Sequence, residues 1–144
     1  LIGSEDPECD QRIFVDPDNW DENFTEQLSI QVLRQSQRYP GISMSSQTKG
    51  IVSLYDVSDD WIPIYDKSDL PGFYMAIGTS GNQYKNAPVA GVIMSELIEA
   101  CERGLDHDYQ PLQLNLRYIN RIINVGFYSR NRKVNQESSM SVLG

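Results

Sequence analysis

Apolar side chains at Phe24, Leu28 and Val32 recur every four positions, with Leu33 beside them. That period matches one face of an α-helix and predicts a helix over 21–38, with Asp21 as its N-cap and Tyr39-Pro40-Gly41 as its stop. Upstream, the apolar triplet Leu1-Ile2-Gly3 reads as the end of a strand already under way. Residues 4–21, acidic and rich in Pro and Asp, read as an irregular surface connection. Downstream, residues 42–66 turn to Ser, Thr, Val, Ile and Tyr, which predicts strands at 51–55 and 62–65 joined by an acidic turn at 56–60. Pro63 suits a sheet edge or a strand start, because it has no N–H to donate.

Asp69-Leu70-Pro71-Gly72 is a turn, and the apolar run 73–78 predicts a strand buried on both faces, pointing to an α/β layer. After the glycine-flanked loop Gly78-Thr79-Ser80-Gly81, residues 86–103 carry a helical pattern. Pro88 fits only its first turn, and Gly104 is placed as the residue after its C-cap. Ala87, Ala90 and Gly91 would let that helix approach a sheet closely. Leu112, Leu114 and Leu116 alternate as in a strand, 118–125 is compatible with a helix, and 130–141 is polar. The pattern as a whole is α+β.

Composition narrows the field of functions. The chain has 144 residues, 40% hydrophobic and 10% aromatic, enough for one modest core and typical of globular proteins. Its net charge of −8 is uneven: 7 basic and 17 acidic side chains over 1–104 give −10, and 5 basic and 3 acidic over 105–144 give +2. Nucleic acid needs a concentrated basic face, so it is not expected as a partner. Arg130, Arg132 and Lys133 read as a solvated surface or an intramolecular dock. Cys9 and Cys101 lie far apart with no CxxC, which signals neither a disulfide framework nor a zinc site and fits a reducing, cytoplasmic setting. The longest nearly apolar stretch, 88–94, is far short of the roughly 20 residues of a membrane span.

The segment 73–101 carries the chemistry. A strand, a glycine loop and a helix present unpaired backbone N–H groups and the positive end of a helix dipole, a setting for an anion or an oxygen that gains negative charge. Strand-to-helix turns with glycine are common in α/β proteins, so the geometry alone leaves a purely structural reading open beside the functional one. The residues themselves say more. Pro71-Gly72-Phe73-Tyr74-Met75-Ala76-Ile77-Gly78-Thr79-Ser80-Gly81-Asn82-Gln83-Tyr84-Lys85-Asn86-Ala87-Pro88 resembles the C-terminal signature of the D-amino-acid oxidase/sarcosine oxidase superfamily: a proline-glycine turn, an apolar strand, then G-x-S-G-x-G-x-K-x-A-P and a helix. The likeness extends upstream to Tyr55, Ser58-Asp59-Asp60 and Pro63, and covers about residues 1–104.

This resemblance implies an FAD-dependent oxidoreductase built from a Rossmann-type FAD-binding domain and a mixed-sheet substrate domain with helices. Residues 1–70 would belong to the substrate domain, 71–104 would supply the last strand and helix of the FAD domain, and 105–144 would be a C-terminal extension. The fingerprint GxGxxG, which the family carries at its N-terminus, is absent here, so the chain is expected to be the C-terminal part of such an enzyme and inactive alone. The partners implied are a small amine or amino acid (sarcosine, glycine or D-amino-acid type) and the N-terminal FAD domain. Gly78, Thr79, Ser80, Gly81, Asn82, Gln83, Tyr84 and Lys85 would form the cofactor-binding stretch, with 81–84 along the flavin's pyrimidine edge. Lys85 would also pair with a substrate carboxylate, and Tyr55 would line the same pocket. No residue here is implied as an acid, a base or a metal ligand.

Departures from the family pattern carry their own implications. Gln83 replaces the second loop glycine, and Asn82 stands where sarcosine-type enzymes often have His, so substrate preference does not transfer. Ser53 occupies the position of a cysteine that bonds flavin in some members, which implies noncovalent FAD. The lysine that activates oxygen in some oxidases would fall at Leu1, which favours a dehydrogenase or an unusual oxidase and leaves the electron acceptor open. His107, in Asp106-His107-Asp108, reads as an exposed linker residue, and Asp59 and Asp60 read as turn or capping residues rather than a carboxylate pair. The alternative from another class is a noncatalytic carboxylate-binding or subunit domain that keeps the fold.

Overall fold

A computed structural model describes residues 13–43 and 49–142. The strand end expected at 1–3, half of the connection expected at 4–21, Cys9, and part of the 42–66 stretch lie outside the described residues. The chain divides into two compact units, 1–54 and 55–144. Among the described residues the architecture is mixed α and β: two α-helices and two small antiparallel sheets.

The first unit contains α1 (Glu26–Ser36). It begins four residues later than the apolar period predicts, with its N-cap at Thr25 rather than Asp21. Thr25, in extended conformation, accepts from the Leu28 N–H at 3.2 Å and takes the N-cap role expected of Asp21. Asp21 instead closes a local turn by accepting from the Asn23 N–H. Of the predicted apolar face, Val32 is buried, Leu28 is half-buried, and Phe24 and Leu33 stay exposed.

The second unit holds β1 (Ile64–Lys67), β2 (Tyr74–Ile77), α2 (Ala87–Glu102), β3 (Gln113–Leu116) and β4 (Arg121–Asn124). β1 pairs antiparallel with β2, Tyr65 opposite Ala76, across the expected 69–72 turn, where Gly72 takes the left-handed φ of +76°. The strand predicted at 62–65 is found two residues later, just after Pro63, and 51–55 forms no strand. The expectation that 73–78 is buried on both faces fails. Tyr74 and Met75 are half-buried, while Phe73, Ala76 and Ile77 are exposed, because β2 is one strand of a two-stranded hairpin covered on a single side.

α2 behaves as its sequence predicts, with Pro88 in the first turn and Gly104 at φ +100° just beyond the end. Ala90, Ile93, Met94 and Leu97, spaced i, i+3, i+4, i+7, form its packed face, with Ile93 and Leu97 almost fully buried. Ala90, Ile93 and Met94 share a core cluster with Tyr65 of β1, Leu114 and Leu116 of β3, and Val125 and Tyr128 of the 3-10 turn Val125–Tyr128. Burying each of the large aliphatic side chains stabilises the unit by roughly 1.5–3 kcal/mol. Ala87 and Gly91 are exposed, and of the three small residues only Ala90 allows close packing.

β3 confirms the alternation of Leu112, Leu114 and Leu116, with Leu114 buried. The helix considered for 118–125 is replaced by a hairpin: Asn120 turns at φ +48° and β4 pairs back on β3, Leu114 opposite Ile123. Ile122 and Ile123 favour the pleated strand, and asparagine tolerates the left-handed turn that a helix would exclude.

Candidate functional site

The glycine loop begins where β2 ends, and its conformation is set by backbone that only a few residue types accept. Gly78 (φ +68°), Ser80 (φ +50°) and Gly81 (φ +73°) are all left-handed. For Ser80, a buried L-residue, that conformation costs about 1–2 kcal/mol, which the surroundings must offset. They do so through Asp56. Its carboxylate accepts the Gly78 N–H at 2.8 Å and the Thr79 N–H at 3.1 Å, and also the Thr79 hydroxyl. The Asp56 carbonyl accepts the Ser80 N–H at 2.9 Å. Removal from water raises the Asp56 carboxyl, but the Thr79 hydroxyl and the two N–H donors outweigh it and hold the group below its ordinary value.

These bonds divide the stretch expected to bind cofactor. The N–H groups of Gly78, Thr79 and Ser80 are taken by Asp56, and that of Asn82 by the Thr79 carbonyl. The N–H groups of Gly81, Gln83 and Tyr84 meet no acceptor among the described residues, the last two because they open the 3-10 turn Gln83–Asn86 that leads into α2. The Gln83 side chain is fixed: its oxygen accepts from the Tyr65 hydroxyl at 3.2 Å and from the Asn86 amide at 3.0 Å, while its amide donates to Asn82. Tyr84 is 97% exposed, and Lys85 is exposed and forms no ion pair with a described residue.

Tyr55, expected to line the same pocket, does lie against this loop. A Cβ added to Gly81 would fall 2.5 Å from the Tyr55 ring, so glycine is required both for its φ and for that close approach. A shallow depression of 480 Å³, bordered by Lys67, Phe73, Cys101 and Asp106, shares no residue with the glycine loop. Among the described residues no three His, Cys, Asp or Glu side chains group to hold a metal ion, and no helix is long and apolar enough to cross a membrane.

Two buried aspartates form a second polar centre that sequence reasoning missed. Asp60, in a turn, takes the Arg132 guanidinium at 2.6 and 3.0 Å, the Asn135 N–H at 3.1 Å, and the Ile62 N–H and Ser58 hydroxyl at 3.2 Å. The Arg132 guanidinium beside it, more than any other cause, holds its carboxyl well below the usual carboxylate range. Asp66 of β1 takes the Ser129 hydroxyl, the Arg130 N–H and the Arg130 guanidinium at 2.8–3.2 Å. Arg130 also reaches Asp108 at 2.7 Å and, with Lys67, holds the Asp108 carboxyl down to about 2. Arg130 and Arg132 are therefore an intramolecular dock, while Lys133 is exposed. Asp59 is exposed, so the two neighbouring carboxylates do not act as a pair.

His107 is not the exposed linker residue its neighbours imply. It is 1% exposed, held between the end of α2 and β1 by the tertiary packing of the 105–112 segment. Its Nδ1 accepts the Leu112 N–H at 3.1 Å, which leaves the proton on Nε2, 3.8 Å from Asp66. Burial pushes its pKa down, so the ring is neutral and Nε2 has no hydrogen-bond partner in the described structure. The signal that would have found these groups is tertiary: Asp60 and Arg132 are 72 residues apart.

No protein-family model, no curated protein and no solved structure matches this chain.

Proposed function

We propose that this chain is the C-terminal part of an FAD-dependent oxidoreductase of the D-amino-acid oxidase/sarcosine oxidase superfamily, acting on a small amine or amino acid. The observation that carries the reading is the division of the glycine loop: a motif in family order whose first N–H groups are spent on Asp56 and whose N–H groups at Gly81, Gln83 and Tyr84 meet no acceptor among the described residues. Open donors at a strand-to-helix junction fit the pyrimidine edge of a flavin, which gains negative charge on reduction. The ring of Tyr55 against Gly81 supports the same assignment, because it places an aromatic wall beside those donors.

In this reading β2 and α2 are the last strand and helix of a Rossmann-type domain, and FAD is bound noncovalently, mostly by upstream residues. FAD held there would supply a two-electron acceptor for a hydride from the carbon next to nitrogen. The chain's own residues have narrower tasks. Gly81, Gln83 and Tyr84 donate through the backbone to the group that becomes negative. Tyr65 and Asn86 hold the Gln83 side chain in one orientation. Lys85, exposed and without a described counter-ion, is placed to receive a substrate carboxylate.

The test is a Lys85→Ala variant of the protein expressed from its complete coding sequence, assayed against small amino acids and N-methylated amines. The KM for a carboxylate substrate should rise at least about ten-fold with kcat less affected, as expected when a ground-state ion pair is removed. Absence of any amine-dependent flavin reduction in the parent protein overturns the reading and leaves a noncatalytic domain with the same fold.

A further inference from the structure

We infer that Arg132 is a positioning residue for the glycine loop: the C-terminal segment 129–138 locks the turn at 56–62, and that turn holds Gly78, Thr79 and Ser80 in place. The inference rests on the flavin reading only for what the loop binds. The structural links stand without it.

The links are contiguous. Arg132 grips both oxygens of Asp60 and the Ile62 carbonyl at 2.7 Å. The Asn135 N–H reaches the same carboxylate at 3.1 Å, and the Ser138 hydroxyl donates to the Asp60 carbonyl at 2.5 Å. With those donors in place, Asp60 closes its own turn by accepting from Ser58 and Ile62. Ser58 then abuts the loop, since a Cβ on Gly78 would lie 3.3 Å from its own Cβ. Two residues before Ser58, Asp56 takes the Gly78 and Thr79 N–H groups.

Strain in the turn points the same way. Trp61 has a φ of +60°, a conformation that an aromatic L-residue adopts only when the surroundings dictate it. The ion pair at Asp60 is next to it in sequence and spans both its flanks, through Asp60 itself and the Ile62 carbonyl. Nothing in residues 56–62 alone supplies a cation for the buried Asp60 carboxylate. Without Arg132 the carboxylate would have to reach water, and the turn would open with it. The C-terminal extension is therefore part of the site's framework.

The experiment is hydrogen–deuterium exchange on the protein expressed from its complete coding sequence, comparing the parent with Arg132→Ala, Arg132→Lys and Ser138→Ala. The amides of Gly78, Thr79 and Ser80 report directly, because their acceptors all belong to Asp56. In Arg132→Ala they should exchange at least about ten-fold faster, while amides in the middle of α2 keep their rates. Arg132→Lys should restore part of the protection, and Ser138→Ala, which removes the hydroxyl's bonds to the Asp60 carbonyl and the Met140 N–H and leaves the ion pair, should give a smaller acceleration in the same amides. Where FAD is bound, its visible absorption spectrum should shift in Arg132→Ala and move back in Arg132→Lys, which general destabilisation would not produce. Unchanged exchange at 78–80 while 129–138 exchanges freely overturns the inference. So does equal acceleration at 78–80 and throughout α2 in the mild Ser138→Ala variant. A parent protein without FAD that shows the loop effect supports the inference while removing the flavin reading. FAD bound to a protein without the loop effect does the reverse.

Discussion

Within one compact unit the same kind of hydrogen-bonding group is used in two opposite ways. Around Asp60, a buried carboxylate meets Arg132, Asn135, Ser58 and Ile62, and both its oxygens are occupied. At the glycine loop, backbone N–H groups at Gly81, Gln83 and Tyr84 have no acceptor among the described residues, and Tyr84 and Lys85 lie exposed. A saturated polar centre stabilises and fixes geometry. A row of open donors on a fixed backbone stabilises nothing by itself and is suited to a ligand. Asp56 joins the two, because it belongs to the turn that Asp60 closes and spends itself on the first half of the loop.

The comparison breaks most visibly at Asp60. Asp60→Ala strands the Arg132 guanidinium and the donors around it, and should cost about 3–5 kcal/mol in denaturant unfolding, the usual range for removing one partner of a buried pair. A loss under about 1 kcal/mol would mean that the carboxylate is not the fastening point.

Acid should separate the two regions next. Asp60, held low by Arg132, and Asp108, held at about 2 chiefly by Arg130, have folded values below the ordinary 3.8. Their stabilisation is complete above that value and is lost as pH falls through it toward the folded values. His107 is also depressed, by burial, below its ordinary 6.5. The unfolded chain takes up its proton first, so stability falls as pH drops from 6.5 toward the folded value. Thermal unfolding followed from pH 8 to 3 should therefore show two successive losses, and His107→Gln should remove only the upper one. Both losses surviving in that variant would contradict the assignment.

Smaller effects are expected at the loop. Gly81→Ala puts a side chain at φ +73° and into the Tyr55 ring, and should cost about 1–2 kcal/mol in unfolding while weakening FAD binding more than it weakens the fold. Lys85→Ala should change stability by no more than about 0.5 kcal/mol, since an exposed side chain with no ion pair to a described residue is removed. Its effect should appear chiefly in KM, and a large loss of stability would show that the loop is a packing element.

What was legible in the sequence follows the range of the forces involved. α2 and its ends were readable because Pro88 and Gly104 act locally and Ala90, Ile93, Met94 and Leu97 repeat at the helical period. The glycine loop was readable for the same reason, since its left-handed residues are mostly glycines. Asp56 was seen as part of an acidic turn and not as the acceptor for Gly78 and Thr79, because those groups are 22 and 23 residues away. The Asp60 and Asp66 centres were hidden in the same way, and charge alone marked Arg130 and Arg132 as no more than a cluster. The apolar residues of β4 fit both the helical and the strand period, and β-branched Ile122 and Ile123 together with Asn120, at φ +48°, decide for the hairpin. The burial of 73–78 was overestimated because composition does not show how many layers cover a strand.

Whether the open donors of the loop meet a flavin is read most directly from FAD content. The protein expressed from its complete coding sequence should purify with close to one FAD per chain, released on denaturation, whereas residues 1–144 alone should take up no stoichiometric FAD. A colourless complete protein that binds no added FAD, or tight stoichiometric binding by residues 1–144 alone, would contradict the flavin assignment.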